Sequence, residues 1–164
     1  MAAERAAGHD VTALIVDDDV HLRALLAEVL EGEGFDVSTA SNGFSALRLA
    51  GERRPRLVLL DVVLPELSGG EVLEELRASS ATRDIAVVMV TGNPQRLTDA
   101  QLADVDGLVR KPFDVPELLA TVHRAFQHAT ARHAASVVPA STVSHRHPER
   151  NLRPPARQGR GRHH

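Results

Sequence analysis

Short apolar runs alternate with amphipathic segments along most of this chain, and this alternation constrains the fold more than any other feature. Residues 57–60 and 85–90 are wholly apolar. Runs of this length without internal alternation are typical of strands covered on both faces. Between the runs, leucine and valine recur at the spacing of one helix face. Strands that alternate with helices predict a parallel sheet between two layers of helices, an α/β fold.

Five strands and five helices are predicted in strict alternation. The predicted strands are residues 12–16, 35–40, 57–60, 85–90 and 107–109. The predicted helices lie around residues 22–30, 44–51, 72–79, 95–104 and 115–126, of which the fourth has the weakest pattern. Asp19 stands directly before the first helical pattern and is its predicted N-cap.

Polar residues fall where the predicted strands end. Asp17 and Asp18 follow the first strand, Asp61 the third, Thr91 the fourth, and Lys111, the only lysine of the chain, the fifth. In an open parallel sheet the ligand crevice lies beyond the carboxyl ends of the strands. We therefore expect these five residues to meet at one edge, although they are distant in sequence.

This set of side chains predicts magnesium-assisted phosphoryl chemistry. Crowded carboxylates resist ionisation, and a hard divalent cation with oxygen ligands relieves that cost. We expect Asp18 and Asp61 to bind Mg²⁺ directly, with Asp17 acting through water. Asp61 is the predicted nucleophile for a phosphoryl group, whose oxygens Lys111 and Thr91 would contact. Taken singly, each residue also has an ordinary interpretation: a turn aspartate, a strand-end threonine, a surface lysine.

Four segments together resemble the signatures of the receiver domain of two-component response regulators. They are residues 15–19 (IVDDD), 61–69 (DVVLPELSG), 90–92 (VTG) and 111–113 (KPF). The resemblance covers about residues 11–127. It implies a flavodoxin-like five-stranded sheet of order 2-1-3-4-5 with helices on both faces. It also implies Asp61 as phospho-acceptor, Asp17, Asp18 and the Val63 backbone carbonyl at the Mg²⁺ site, and Thr91 and Lys111 as switch residues.

The sequence departs from the family pattern at three positions. Leu64 stands where the family often has methionine, and Gly92 where it usually has alanine. Leu108 stands where many receivers carry a tyrosine or phenylalanine that swings inward with the threonine. The resemblance therefore supports phosphorylation but not an output mechanism gated by an aromatic side chain.

The expected function is that of a stand-alone response regulator in the cytoplasm. A sensor histidine kinase would supply the phosphoryl group, and the domain would catalyse its own phosphorylation and dephosphorylation rather than act on external substrates. The output would be phosphorylation-dependent partner binding or phosphorelay. By resemblance, the partner surface comprises the fourth helix, fifth strand and fifth helix, and includes Arg96, Leu97, Leu108 and Arg110.

The chain divides by composition into a domain and a basic tail. We expect a flexible N-terminus over residues 1–10, a receiver domain over 11–128, and a disordered Arg-, His- and Pro-rich tail over 129–164, because the tail has few large apolar residues. The arginines of the tail are Arg132, Arg146, Arg150, Arg153, Arg157, Arg160 and Arg162. The alternative output is electrostatic binding of nucleic acid or an acidic partner by this tail. We expect no membrane association, and the absence of cysteine excludes disulfides.

Overall fold

Five parallel strands form one sheet in the order β2-β1-β3-β4-β5 in the computed structural model of this chain, which describes residues 11–136. The strands are β1 (Val11–Val16), β2 (Phe35–Ala40), β3 (Leu57–Leu60), β4 (Ala86–Thr91) and β5 (Gly107–Arg110). Each neighbouring pair is parallel and in continuous register. The predicted fold class and strand order are confirmed.

Helices follow the strands throughout. They are α1 (Val20–Gly32), α2 (Gly43–Arg53), α3 (Gly69–Ala78), α4 (Asp99–Asp104) and α5 (Val115–Ser136), with a single 3₁₀ turn at Pro94–Arg96 before α4. Among residues 11–136, no helix combines the length and apolar character needed to cross a membrane.

Two hydrophobic layers cover the two faces of the sheet. Leu14 and Val16 of β1 join the layer formed with α2 and α3, whereas Ala13 and Ile15 join the layer formed with α1 and α5. Successive strand residues point to opposite faces, so a strand buried on both sides must be apolar at every position. This geometry explains the uninterrupted apolar runs of the sequence.

Side-chain caps fix where the helices begin. Asp19 accepts hydrogen bonds from the backbone N–H groups of His21 and Leu22, so it is the N-cap of α1, as predicted. Thr98 caps α4 in the same way and forms a reciprocal capping box with Gln101. The single helix predicted over residues 95–104 is therefore wrong, because an extended Thr98 separates the 3₁₀ turn from a helix of only six residues.

Helix α5 is longer than its sequence pattern indicates. We expected it to end near Phe126 and the chain to be disordered from residue 129, but it continues to Ser136. Ala129 is buried, and the Arg132 guanidinium donates to Asp106 and to the backbone carbonyl of Arg83. Polar contacts hold this part of the helix, and apolar periodicity cannot reveal them. The expectations for residues 1–10 and for the remaining tail arginines lie outside the described residues.

Candidate functional site

The sheet brings the exits of β1, β3 and β5 to one edge. The first residue beyond each strand stays in the hydrogen-bonding pattern: Asp61 N–H donates to Val16 O over 3.0 Å, and Lys111 N–H to Thr91 O over 3.0 Å. The hydrogen bonds of the sheet thus fix the backbone of Asp17, Asp61 and Lys111. The side chains of these residues therefore extend from rigid backbone positions.

Three carboxylates meet at this edge. Asp17, Asp18 and Asp61 each offer an oxygen, and these oxygens lie within 4.8 Å of one another. Asp17 and Asp61 are buried, whereas Asp18 is exposed. Carboxylate oxygens gathered in this way are the ligands that a hard divalent cation prefers.

Lys111 lies between two of the carboxylates. Its Nζ is 2.8 Å from Asp17 Oδ2 and 3.0 Å from Asp61 Oδ2. We call Asp17, Asp18, Asp61 and Lys111 the acidic pocket. A lysine ammonium suits this position because it is a compact charge that can reach two acceptors at once. With one cation and three carboxylates, the acidic pocket has a negative net charge.

Burial and the charges of the acidic pocket shift the pKa values of Asp17 and Lys111. Burial raises the pKa of Asp17, and the hydrogen bond from Lys111 only partly opposes that effect. For Lys111, burial alone would lower the pKa, but the hydrogen bonds that it donates to Asp17 and Asp61, together with the negative charges of these two carboxylates, raise the pKa above its ordinary value. The ammonium is therefore firmly charged at neutral pH, while the ionised form of Asp17 is disfavoured. A bound divalent cation would relieve that cost.

Asp17 and Asp18 differ in how they are held. The carboxylate of Asp17 accepts from Asp19 N–H over 2.9 Å and from Lys111. The carboxylate of Asp18 makes no hydrogen bond or ion pair within residues 11–136. Asp17 is thus a fixed part of the pocket wall, and Asp18 is the carboxylate with free coordination capacity.

Thr91 and Val63 lie at the same edge. Thr91 is the last residue of β4 and fully buried, and its hydroxyl accepts from the N–H of Asn93 over 3.1 Å. Val63 follows Asp61 by two residues, and its N–H donates to Asp61 Oδ1 over 3.4 Å. The structure thus places every predicted catalytic or metal residue at one edge of the sheet, and their roles remain predictions.

Sequence reasoning missed two residues that shape the acidic pocket. Gly69, the first residue of α3, packs so closely on the chain that a β-carbon there would overlap the backbone carbonyl of Asp61. Arg23 donates from Nη1 to the Asp17 backbone oxygen over 2.7 Å. A glycine at a helix start was a visible signal for the first. The contact of Arg23 could be found only from the direction in which α1 runs.

The predicted partner surface needs one correction. Arg96 and Arg110 are exposed and Leu108 is half-buried, so these three residues are accessible. Leu97 is only 7 % exposed and belongs to the core on the α2 and α3 side. It lies in the break between the 3₁₀ turn and α4, and its side chain turns inward there. Leu97 is therefore a core residue and not part of the surface.

Comparison with known proteins identifies the family. The family model described as the response regulator receiver domain matches residues 13–123. The chain is 43% identical over 112 residues to the "Transcriptional regulatory protein CpxR homolog" of Haemophilus influenzae, covering 66% of this chain and 47% of that protein. It is 40% identical over 121 residues to the "DNA-binding dual master transcriptional regulator RpaA" of Synechocystis, covering 73% and 50%.

A solved structure agrees with this assignment. The receiver domain of sensor histidine kinase PA1611 from Pseudomonas aeruginosa, which has a magnesium ion coordinated in its active site cleft, superposes with a TM-score of 0.64. It is 26% identical, and the match covers 71% of this chain and 97% of that one. The chain spans about half the length of the curated relatives it matches. On its motifs, its sheet order and its match to the family model, this chain belongs to the response regulator receiver domain family.

Proposed function

We propose that Asp61 of this receiver accepts a phosphoryl group from the phosphohistidine of a sensor histidine kinase, with Mg²⁺ as cofactor. A carboxylate oxygen of Asp61 would form the new bond to phosphorus, the N–P bond of the donor would break, and the imidazole would leave with the electron pair of that bond. The observation that carries the proposal is the position of Lys111 Nζ, within 3.0 Å of both Asp17 and Asp61 in a cluster of three carboxylates.

The residues of the acidic pocket fit a magnesium ion. Asp18, which has no partner within residues 11–136, is the leading ligand, with Asp61, Asp17 and the backbone carbonyl of Val63 completing the protein's share. Bound Mg²⁺ would neutralise charge on the phosphoryl oxygens during transfer. Lys111 would hold a further oxygen and keep the nucleophile oriented, and the Thr91 hydroxyl would approach from the end of β4. The same groups would serve dephosphorylation, with water as the acceptor.

Intact-mass spectrometry after incubation with a small-molecule phosphodonor and Mg²⁺ tests the assignment. We expect one phosphoryl group on the parent and none on Asp61→Asn, because the amide is not a competent nucleophile. Asp36→Asn, at an exposed position of β2, is the matched control and should be labelled like the parent. Labelling retained in Asp61→Asn would assign the nucleophile elsewhere.

We propose protein recognition as the output. Phosphorylation must stabilise a partner-competent conformer more than the resting one, since a ligand shifts an equilibrium only by its differential affinity. Arg96, Leu108 and Arg110 form the accessible part of the expected surface. Because Leu108 replaces the usual aromatic residue, we place the conformational change in the loops of Thr91 and Lys111 and not in a rotating ring. The expected location of this exchange is the cytoplasm.

A pull-down with beryllofluoride-loaded and unloaded protein tests this output and its alternative. Retention that requires beryllofluoride and is lost in the double variant Arg96→Ala, Arg110→Ala supports a phosphorylation-dependent partner. The alternative is that the tail arginines bind nucleic acid or an acidic partner. Retention would then be independent of beryllofluoride, would fall steeply with salt concentration and would be lost on removing residues 137–164.

A further inference from the structure

Arg23 makes a contact that the proposed chemistry does not use. It lies one turn into α1, and its guanidinium Nη1 donates a hydrogen bond of 2.7 Å to the main-chain oxygen of Asp17. This is the only hydrogen bond or ion pair of the Arg23 side chain within residues 11–136. A half-buried cation thus touches the backbone of the acidic pocket without pairing with any of its carboxylates.

The geometry of α1 explains how Arg23 reaches this position. Its N–H donates to Asp19 O over 3.0 Å, so it closes the first hydrogen-bonded turn of the helix. Side chains of a helix lean toward its N-terminus, and the guanidinium is therefore carried back over the residues that precede α1. The carbonyl of Asp17 lies there, before the first helical acceptor, and has no place in the helix ladder. A buried carbonyl of this kind needs a donor, and Arg23 supplies it.

Arg23 completes the fixation of Asp17. The backbone N–H, the backbone carbonyl and both carboxylate oxygens of Asp17 each have a partner; in turn these are Ala40, Arg23, Asp19 and Lys111. The peptide between Asp17 and Asp18 is consequently held through its carbonyl by Arg23, and the peptide before it is held through the Asp17 N–H by Ala40. The Asp18 side chain has no hydrogen bond or ion pair within the described chain, so the direction of its carboxylate depends on the Asp17–Asp18 peptide.

We propose that Arg23 is a positioning residue for the metal: by holding the Asp17 carbonyl it fixes the turn that presents Asp18 to Mg²⁺. The inference rests on the proposed function, because it concerns the same magnesium site. Partners one shell beyond the ligands orient them, and their loss weakens metal binding. Arg23 acts through the backbone and not by touching the phosphoryl group.

A purely electrostatic role for Arg23 predicts the opposite result. A guanidinium beside the acidic pocket repels a divalent cation, so its removal alone would tighten magnesium binding. A positioning role predicts weaker binding, since the Asp17–Asp18 turn would then have to be ordered when the metal binds. The sign of the change in affinity therefore separates the two roles.

Calorimetric or NMR titration with magnesium provides the test. We expect Arg23→Met to weaken magnesium affinity by about tenfold, the lower end of the range for such partners. Arg23→Lys keeps the charge and one donor, and should recover part of the loss. Arg48→Met is the matched control, because it removes an exposed arginine of α2 whose ion pair within residues 11–136 is with Glu52, and its magnesium affinity should equal that of the parent.

A second readout needs no metal. The N–H of Asp19 donates to Asp17 Oδ1, so we expect it to exchange faster with solvent in Arg23→Met than in Arg48→Met. If Arg23→Met folds poorly, Arg23→Lys carries both comparisons. Unchanged or tighter magnesium binding in the Arg23 variants, with the parent binding normally, overturns this inference alone. A parent that binds no magnesium overturns the proposed function as well.

Discussion

At the scale of the residue, three carboxylates repel one another in the acidic pocket, and Lys111 neutralises part of their charge. Its Nζ contacts Asp17 and Asp61, the two buried carboxylates, whereas the exposed Asp18 has no hydrogen-bond or ion-pair partner in the described part of the chain. The position of these side chains could be predicted from the sequence, because each follows a strand and parallel strands end at a common edge. Arg23 could not be predicted, because its hydrogen bond depends on the angle at which α1 leaves the sheet.

Replacing Lys111 by methionine should destabilise the fold by about 2 kcal/mol at neutral pH. Removing one partner of a fully buried ion pair costs roughly 3–5 kcal/mol, and solvent at this lysine, whose side chain is 26% exposed, reduces that figure. Urea unfolding measures the loss. Lys111→Arg keeps the charge and should lose less than half as much. Magnesium should recover more stability in Lys111→Met than in the parent, and equal recovery would contradict this account.

The difference between parent and Lys111→Met should depend on pH. The pKa of Lys111 is raised above its ordinary value of 10.5 by Asp17 and Asp61, which together outweigh burial. Its stabilising contribution is therefore complete below about pH 10.5 and is lost as pH rises through the higher folded value. The pKa of Asp17 is also raised, so protonation at acid pH relieves the buried charge and should favour the variant more. Unfolding curves across pH should show the widest gap between about pH 7 and 10.

At the scale of the element, sequence patterns located all five strands but misjudged two helices. The apolar runs are fixed by burial on both faces, and hydrophobic periodicity reports burial directly. The break before α4 depends on the Thr98 cap, and the extension of α5 depends on its contacts to Asp106. Both are polar contacts between residues that periodicity treats as solvent-facing. Leu97 was assigned to the surface by the family resemblance, which does not show that the break before α4 turns this side chain into the core.

The start of α3 should not tolerate a side chain at its first position. Gly69→Ala would place a β-carbon on the backbone carbonyl of Asp61, which cannot yield without moving the loop, so we expect a loss of about 3 kcal/mol. Gly51→Ala is the matched control: no atom outside the helix lies within 4 Å of its added β-carbon, and it should gain roughly 0.5–1 kcal/mol from helix propensity. Thermal unfolding measures both. A neutral Gly69→Ala would show that the loop adapts.

The end of α5 is held by an ionic cluster at the opposite edge of the sheet. The Asp106 side chain is fully buried and accepts hydrogen bonds from Arg77 over 2.9 Å and from Arg132 over 3.1 Å. His128 Nδ1 lies 2.7 Å from the other oxygen of the same carboxylate. Burial and the neighbouring charge of Arg132 lower the pKa of Arg77, and the charge of Asp106 with its hydrogen bond opposes that effect.

Truncation of α5 should reveal how much the ionic cluster at Asp106 contributes to the stability of the domain. A chain that ends after Gln127 loses Ala129, His128 and Arg132 and leaves Asp106 with fewer donors, and we expect it to be less stable by about 3 kcal/mol. A chain that ends after Ser136 keeps all of these contacts and should match the full chain within about 0.5 kcal/mol. Urea unfolding of the two truncated chains makes the comparison. Equal stability would show that the cluster contributes little.

At the scale of the whole molecule, magnesium should stabilise the domain by mass action. At about a hundredfold excess over its dissociation constant, a ligand specific for the folded state adds about 2.7 kcal/mol. We expect the parent to gain this stability and Asp18→Ala to gain little, because Asp18 is the carboxylate with free coordination capacity. Asp36→Ala, far from the acidic pocket in β2, should respond like the parent. Calorimetry is the suitable measurement, since the chain has no tryptophan or tyrosine.

Helix α5 is long enough to carry a movement from one edge of the sheet to the other. It begins four residues after Lys111 and runs for 22 residues, about 33 Å, to the opposite edge of the sheet, where Asp106 lies. One end of this helix follows Lys111 of the acidic pocket, and near the other end His128 and Arg132 contact the Asp106 carboxylate. A tilt imposed at the Lys111 end would therefore pivot about these contacts and displace Ser136, the last residue of the helix.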